Sequence, residues 1–385
     1  MEDWQAGGFG LYLHWPFCQS KCPYCDFNSH VSTSIDQRRW EKAYLAEIDR
    51  AGQETKGRLL TSVFFGGGTP SLMEPALVAA ILDRVRATWS VVNDWEVTLE
   101  ANPGSVEAGR FKGYRDAGVN RISMGIQALN DVDLRRLGRL HSVSEARAAF
   151  DFARDTFDRV SFDLIYARQD QTLKEWQAEL RVGLTMAADH LSLYQLTIED
   201  GTAFGDRFAR GGLRGLPDDD LSADFYATTQ DLCEEAGLPA YEVSNHAKRG
   251  AESRHNLIYW RAGDYVGIGP GAHGRLTLDR TRWATEAPKP PGEWLQLVES
   301  IGSGESIRDH VSKSEQALEY LMMSLRLREG LSVSRYQSLS GIDIKISKIN
   351  DLIEFGMITM KGDTLMATRN GRMVLNSVIT ELSRA

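Results

Sequence analysis

The chain has 385 residues, with 44 Lys and Arg against 53 Asp and Glu for a net charge of −9, which leaves room for one large domain, a smaller one and a substantial core. An acidic balance with no basic run excludes a nucleic-acid surface as the main business, because neutralising phosphates takes a basic face. Four cysteines, three clustered and only Cys233 left over, make no disulfide framework and point to a reducing cytoplasm.

Met1-Glu2-Asp3-Trp4 lacks the apolar segment of a secretory signal, and no run reaches the roughly eighteen apolar residues of a membrane span. An apolar run at Leu11 to Leu13 reads as a strand entering the loop Cys18 to Cys25. Apolar positions Ile35, Trp40, Tyr44, Leu45 and Ile48 then give the spacing of an amphipathic helix over 35–54. Leu60 to Phe65 is a strand ending in Gly66-Gly67-Gly68-Thr69-Pro70, and Pro75 to Thr88 a helix. Glu96 to Leu99 is a strand ending at Glu100, followed by a helix capped by Ser105 and stopped by Gly118. Arg121 to Ile126 is a strand ending at Gln127, and Ser142 with Glu145 forms a capping box opening a helix to Phe157. Strand Arg159 to Ile165, helix Leu173 to Met186 and strand His190 to Ile198 complete six strand-then-helix units. Such a succession predicts an α/β fold whose parallel sheet rolls at least part way into a barrel. Function in a barrel collects at the carboxyl ends of the strands, and Cys18 to Cys25, Gly66 to Thr69, Glu100, Gln127, Asp163 and Thr197 all fall at or near those ends.

Past residue 200 the pattern loosens: Leu221 to Ala236 is helical, Ala240 to Val243 a short strand, His255 to Gly274 a Gly-rich aromatic segment, and Arg275 to Pro291 an irregular bridge. Helices over Ser314 to Arg328, Ser332 to Ser338 and Lys345 to Phe355, then a hairpin around Met360-Lys361-Gly362-Asp363, have the order of a winged helix. Lys345, Lys348, Lys361, Arg369 and Arg372 are too scattered there for a DNA-binding footprint. The expected division is a barrel over 1–200, a barrel extension over 201–290 and a helical, winged-helix-like domain over 291–385.

The chemistry is concentrated in Cys18-Gln19-Ser20-Lys21-Cys22-Pro23-Tyr24-Cys25, a CxxxCxxC spacing. Space-filling thiols are one alternative, and a zinc site completed by His14 or His30 another. A structural zinc wants four protein ligands, whereas three thiolates suit a 4Fe-4S cluster with one iron open to a chelating ligand. The glycines at 66–68 would let backbone groups approach a ligand, or simply make a tight turn. Glu100 would place a carboxylate at the barrel mouth, as ligand acceptor or as a local cap. In His255-Asn256-Leu257-Ile258-Tyr259-Trp260 an imidazole stands close to two aromatic rings. A lone histidine beside aromatics is ordinarily a core residue.

The cysteine spacing, with an aromatic before its last cysteine, resembles the radical S-adenosylmethionine (SAM) superfamily. There the open iron is chelated by SAM, and an electron from the cluster cleaves the sulfonium to a 5'-deoxyadenosyl radical. The resemblance implies a 4Fe-4S cluster on Cys18, Cys22 and Cys25. It also implies SAM contacts from Tyr12, Tyr24, Gly67, Gly68, Thr69, Glu100, Gln127, Arg139, Asp163 and Thr197, positions matching the HemN-like branch. One function of that branch is oxygen-independent coproporphyrinogen III dehydrogenase, whose motif carries a further cysteine where this chain has Phe27. The other is the heme chaperone group HemW, whose HNxxYW mark is complete at His255 to Trp260. Pro23 to His30 (PYCDFNSH) and Gly267 to Gly274 (GIGPGAHG) are similar to HemW as well. This resemblance implies heme binding through His255, Tyr259 and Trp260 and delivery to respiratory hemoproteins at the membrane, and it leaves a homodimer open. Where the family continues DLIYGLP, this chain reads Asp163-Leu164-Ile165-Tyr166-Ala167-Arg168-Gln169, with bulkier residues in place of Gly and Pro.

Overall fold

The first strand, β1 (Phe9–Trp15), is buried along nearly its whole length, as befits a strand covered on both faces in a parallel sheet flanked by helices. That arrangement is what the computed structural model contains; it describes residues 2–104 and 108–384. Two short strands, β2 (Phe17–Cys18) and β3 (His30–Val31), pair with each other on either side of the cysteine loop. β4 (Leu59–Gly67) lies parallel beside β1, and β5 (Ser90–Ala101), β6 (Arg121–Gln127), β7 (Arg159–Tyr166) and β8 (His190–Gln195) follow in chain order. Helices Gln37–Glu54, Pro75–Thr88, Phe111–Ala117, Val143–Thr156 and Leu173–Met186 connect them. The Ser142–Glu145 capping box forms, Thr172 and Glu175 make a second, and Gly118 ends its helix in the left-handed region at φ 111°. Ser105, the expected cap of the helix before Gly118, lies outside the described residues.

The sheet extends past both ends of the six predicted strands. β9 (Asn245–Ala247) pairs antiparallel with β8, while β10 (Asp264–Ile268) runs parallel beside β1. β11 (His273–Leu278), β12 (Thr281–Glu286) and β13 (Ile307–His310) continue antiparallel from there. Eleven strands therefore form an open, partial barrel. A buried carboxylate pins the extension: Asp264 Oδ2 and Oδ1 accept from Arg58 Nη1 at 2.6 Å and Arg282 Nη1 at 2.9 Å.

Two expectations for this region are corrected. The strand over Ala240 to Val243 is replaced by β9, because the Glu242 carboxylate accepts the N–H groups of Val243 (2.6 Å) and Ser244 (3.2 Å), which bends the chain out of the ladder. The irregular bridge over Arg275 to Pro291 is instead the β11–β12 hairpin. Its two-residue tip, Asp279-Arg280, has φ of 48° and 63°, the geometry that normally carries Asn-Gly, so the usual turn signal is missing from the sequence. The last barrel strand also stops at Gln195, leaving Thr197 in the loop beyond.

The C-terminal unit has the winged-helix order. Helices Lys313–Ser324, Val333–Ser340 and Ile346–Glu354 pack around Leu321, Leu325 and Leu365. A small sheet of β14 (Leu331–Ser332), β15 (Ile358–Lys361) and β16 (Thr364–Ala367) completes it. Helices Arg369–Met373 and Leu375–Ser383, for which the sequence reading named no element, follow the wing.

The departure after β7 has a structural cost. Ala167, buried and at φ 59°, holds a left-handed conformation where the family has glycine. A Cβ there costs roughly 1–2 kcal/mol, part of which glycine loses again through its freer unfolded chain. Ala167→Gly is expected to raise unfolding stability by about 0.5–1 kcal/mol, read as a higher urea midpoint; an unchanged or lower midpoint counts against strain at this position.

Candidate functional site

The glycine loop at the end of β4 is clamped over the cysteine loop. Gly68 N–H donates to Trp15 O (2.7 Å) and Thr69 N–H to Phe17 O (2.8 Å). A Cβ on Gly68 would fall 2.7 Å from Phe17 O and 3.0 Å from Cys18 Sγ, so only glycine fits. The Thr69 hydroxyl donates to Cys18 Sγ and Arg139 Nη1 to Cys22 Sγ, both at 3.4 Å. All three thiols are free. Burial holds those of Cys18 and Cys25 above the ordinary thiol range, so a cationic centre is what would draw them into the thiolate form. Three thiols with a hydroxyl and a guanidinium directed at sulfur fit a 4Fe-4S cluster held at three corners. The histidines considered for zinc are engaged elsewhere: His14 lies between Tyr12 OH (3.0 Å) and Asn28 O (2.9 Å), and His30 Nε2 meets Asn28 Oδ1 at 3.1 Å.

Above the strand ends lies a cavity of about 1060 Å³ that brings together Tyr24, Cys25, Glu100, Gln127, Asp163 and Thr197. Glu100 Oε2 accepts the Gly67 N–H at 3.2 Å, and Asp163 Oδ1 is a buried acceptor with no hydrogen-bond partner. Burial, and then the charge of Asp163, pushes the Glu100 carboxyl up to about 8, and burial raises Asp163 to about 6. Two carboxyls short of positive charge suit a cationic ligand, and SAM carries both an ammonium and a sulfonium. Gln127 sits at φ 77° where β6 ends, a left-handed residue at a strand terminus turned to the cavity. Arg139 joins the two regions, since Nη2 donates to Gly125 O (2.8 Å) and Asn102 Oδ1 (2.5 Å) while Nη1 reaches Cys22.

The Glu100 shift sets a pH dependence. Its folded value lies above the unfolded one, so its contribution is complete below about 4.5, is lost as pH rises towards about 8, and is flat above that. Ligand-free protein should therefore lose stability across this window, and Glu100→Gln should flatten the curve there. Parallel curves for the two proteins would show that Glu100 titrates normally.

HNxxYW lies on the helix Arg254–Trp260. Its N-terminus is fixed by the buried Glu96 carboxylate, which accepts from His255 N–H (3.3 Å) and the Ser253 hydroxyl (3.4 Å) and pairs with Arg121 at 3.2 Å. The expectation that His255 presents a free imidazole is not met in this conformation. The side chain is 1% exposed, with Nδ1 against Ser62 Oγ (2.8 Å) and Nε2 against Tyr259 OH (2.6 Å). Burial lowers its pKa to about 3, keeping it neutral. Tyr259 and Trp260, by contrast, line a cavity of about 800 Å³ together with Tyr12, Gly67 and Glu100. Phe27, Glu100, Tyr194 and Arg326 line this cavity and the larger one alike, so the two adjoin.

Sequence reasoning gave no role at the site to Asn28, which donates to Pro270 O (2.9 Å) and Lys289 O (2.8 Å), or to the roof residues Arg326 and Arg372, the second of which it counted only among scattered cations. Asn28 had a signal in the PYCDFNSH run. The arginines had none, because only the folded C-terminal unit brings them to the barrel. Cys233 is fully buried and its thiol pushed up to about 12 by desolvation, which marks it as packing.

Residues 12–182 match the model of the radical SAM superfamily, and residues 311–374 that of the HemN C-terminal domain. The chain is 38% identical over 374 residues to heme chaperone HemW of Escherichia coli, covering 96% of each. To the mitochondrial radical S-adenosyl methionine domain-containing protein 1 of Bos taurus it is 37% identical over 383 residues, covering 97% of this chain and 86% of that protein. Among solved structures, coproporphyrinogen III oxidase (HemN) from Escherichia coli superposes with a TM-score of 0.82 at 20% identity, over 98% of this chain and 92% of that one, a likeness of fold. Among the described residues no helix is long and apolar enough to cross a membrane. With its cysteine loop, glycine clamp and HNxxYW helix joined on one partial barrel, the chain belongs to the radical SAM superfamily and, within it, to the family of the HemW heme chaperones.

Proposed function

We propose that this chain is a cytoplasmic heme chaperone that receives heme against Tyr259 and Trp260 and hands it to respiratory hemoproteins at the membrane. Cys18, Cys22 and Cys25 hold a 4Fe-4S cluster. SAM lies beside it, among Tyr12, Tyr24, Gly67, Gly68, Thr69, Glu100, Gln127, Arg139, Asp163 and Thr197. The cluster, when bound, supplies an electron to the sulfonium of SAM. The chain's own residues divide the work: Arg139 and Thr69 donate to cysteine sulfur, Glu100 and Asp163 balance ligand cations, and Gly68 lets the β4 loop close onto Phe17 and Cys18. Residues 1–200 carry this cluster and SAM site, 201–290 the heme motif, and 291–385 the roof.

The observation that carries the reading is the position of Tyr259 and Trp260, on a helix anchored by Glu96 and lining a cavity that adjoins the cluster side of the barrel. A flat apolar wall of this kind fits a porphyrin face. The rival reading, coproporphyrinogen III dehydrogenase, draws on the likeness of fold to HemN. Against it, Phe27 stands where that enzyme's motif has its further cysteine, and it lies 57% exposed at both cavities.

Heme titration of the anaerobically reconstituted protein, followed at the Soret band, should give saturable 1:1 uptake. A Tyr259→Ala, Trp260→Ala double variant should bind about tenfold more weakly, ~1.4 kcal/mol. Conversion of coproporphyrinogen III to protoporphyrinogen by the reduced, SAM-loaded protein would overturn the chaperone reading.

A further inference from the structure

The cavity above the strand ends carries opposite charges on its two sides. Glu100 and Asp163 come from the barrel, whereas Arg326 and Arg372 come from the C-terminal unit. Among the described residues lining this cavity and the one beside Tyr259 and Trp260, these two are the only lysines or arginines, and Arg326 lines both.

Charges withdrawn from water are ordinarily paired. Here neither guanidinium forms an ion pair with a described residue. Arg326 donates through Nη1 to Met322 O and through Nη2 to Asn376 Oδ1 at 3.2 Å. Arg372 donates through Nη2 to Glu242 O at 2.9 Å and to Arg326 O at 3.3 Å. These acceptors are neutral, so they fix the two forks without cancelling their charge, and Arg372 keeps Nε and Nη1 for another acceptor. The nearby carboxylate, that of Glu242, is turned to the N–H groups of Val243 and Ser244. Burial lowers the Arg326 pKa, with Glu242 acting the other way, as expected of a cation short of negative charge. A second source of positive potential lies on the same wall. The helix Leu375–Ser383 starts there on Val374 with no side-chain cap, and Val374, Leu375, Asn376 and Ser377 line the cavity.

We propose that Arg326 and Arg372 form a carboxylate clamp that grips the two propionates on one edge of the heme while its macrocycle lies against Tyr259 and Trp260. This assignment rests on the heme-chaperone reading and adds to it the groups that orient and select the porphyrin. The two sides of the cavity then serve ligands of opposite charge, the carboxyls of Glu100 and Asp163 a cation and the arginine wall a dianion. Each fork can meet a carboxylate with two parallel N–H···O bonds. Flat apolar rings bearing free acids are accepted, and rings whose acids are masked are rejected, because they leave the guanidinium groups desolvated and unpaired.

The test titrates the full-length, anaerobically reconstituted protein with ferric heme and with its dimethyl ester, in which both carboxylates are uncharged. Wild-type protein should bind heme about tenfold or more tightly than the ester. Arg326→Gln and Arg372→Gln should each weaken heme binding about tenfold, and the double variant should bind heme and ester alike. SAM affinity should stay at the wild-type value throughout. Equal affinity of the wild type for heme and ester overturns the clamp with no substitution made. So does a double variant that loses both porphyrins in equal measure, the result of a merely structural role. Lost SAM binding with heme affinity kept would give the arginines to the SAM carboxylate and overturn it as well. Failure of the wild type to take up either porphyrin would instead overturn the chaperone reading, and this inference with it.

Discussion

Cys22→Ser protein, reconstituted anaerobically with iron and sulfide, is expected to hold no stable 4Fe-4S cluster. Its alkoxide-type oxygen is a harder and more basic donor than thiolate, and a cluster already one cysteine short of four cannot spare another corner. Position 22 is the sharpest test of the three, because Arg139 Nη1 donates to this sulfur and links the cluster loop to the end of β6. Iron and acid-labile sulfide should fall to background, together with the broad visible absorption of the cluster. Cys233→Ser provides the control: its thiol is buried and pushed up to about 12, so cluster content should match the wild type. Full iron occupancy in Cys22→Ser, or zinc in the wild type, would remove the chemical basis of the site.

Arg168→Met is expected to destabilise the fold by about 3–5 kcal/mol. Arg168 is 4% exposed, and its Nη2 bridges Asp133 Oδ2 (2.8 Å) and Glu179 Oε2 (2.5 Å). Glu179 also accepts the Leu129 N–H at 2.6 Å, so the loop after β7 is tied to the one after β6 through a single carboxylate. Removing the guanidinium leaves two carboxylates crowded together at a largely buried position, whereas Arg168→Met combined with Glu179→Gln removes one of them and should recover part of the loss. Denaturant midpoints of the two variants and of Glu179→Gln alone close the cycle. A shift under 1 kcal/mol in Arg168→Met, far below the ~3 kcal/mol expected of a broken buried pair, would mean that the pair is screened by water.

Elements whose signals are local were legible in the sequence. The helix Pro75–Thr88 is bounded by its own proline, Val143–Thr156 by its capping box, and the cysteine loop by spacing alone. What was not legible is long-range. β10 joins the sheet beside β1 across most of the chain, and its alternation runs over only five residues and opens on the buried Asp264 where an apolar residue would be expected. The β11–β12 turn uses Asp279-Arg280 in a geometry that usually advertises itself with Asn-Gly. The same division holds at the site. Glu100, Gln127 and Asp163 could be placed because strand ends can be counted. The surroundings of His255 could not, because Ser62 and Glu96 come to it from two different strands and Arg121 joins from a third through Glu96.

The roof of the cavity belongs to a separately cored unit, and part of what fastens that unit to the barrel is charge. Arg335 grips Asp3, with Nη2 to Oδ2 at 2.7 Å, Arg261 grips Glu329 at 2.7 Å, and Arg369 grips Asp231 at 2.6 Å. Ion pairs at a wet boundary weaken as salt rises. How closely the C-terminal unit is held over the barrel mouth is thereby coupled to the ionic strength of the surrounding fluid, although none of the three cysteines below lies in the fastening.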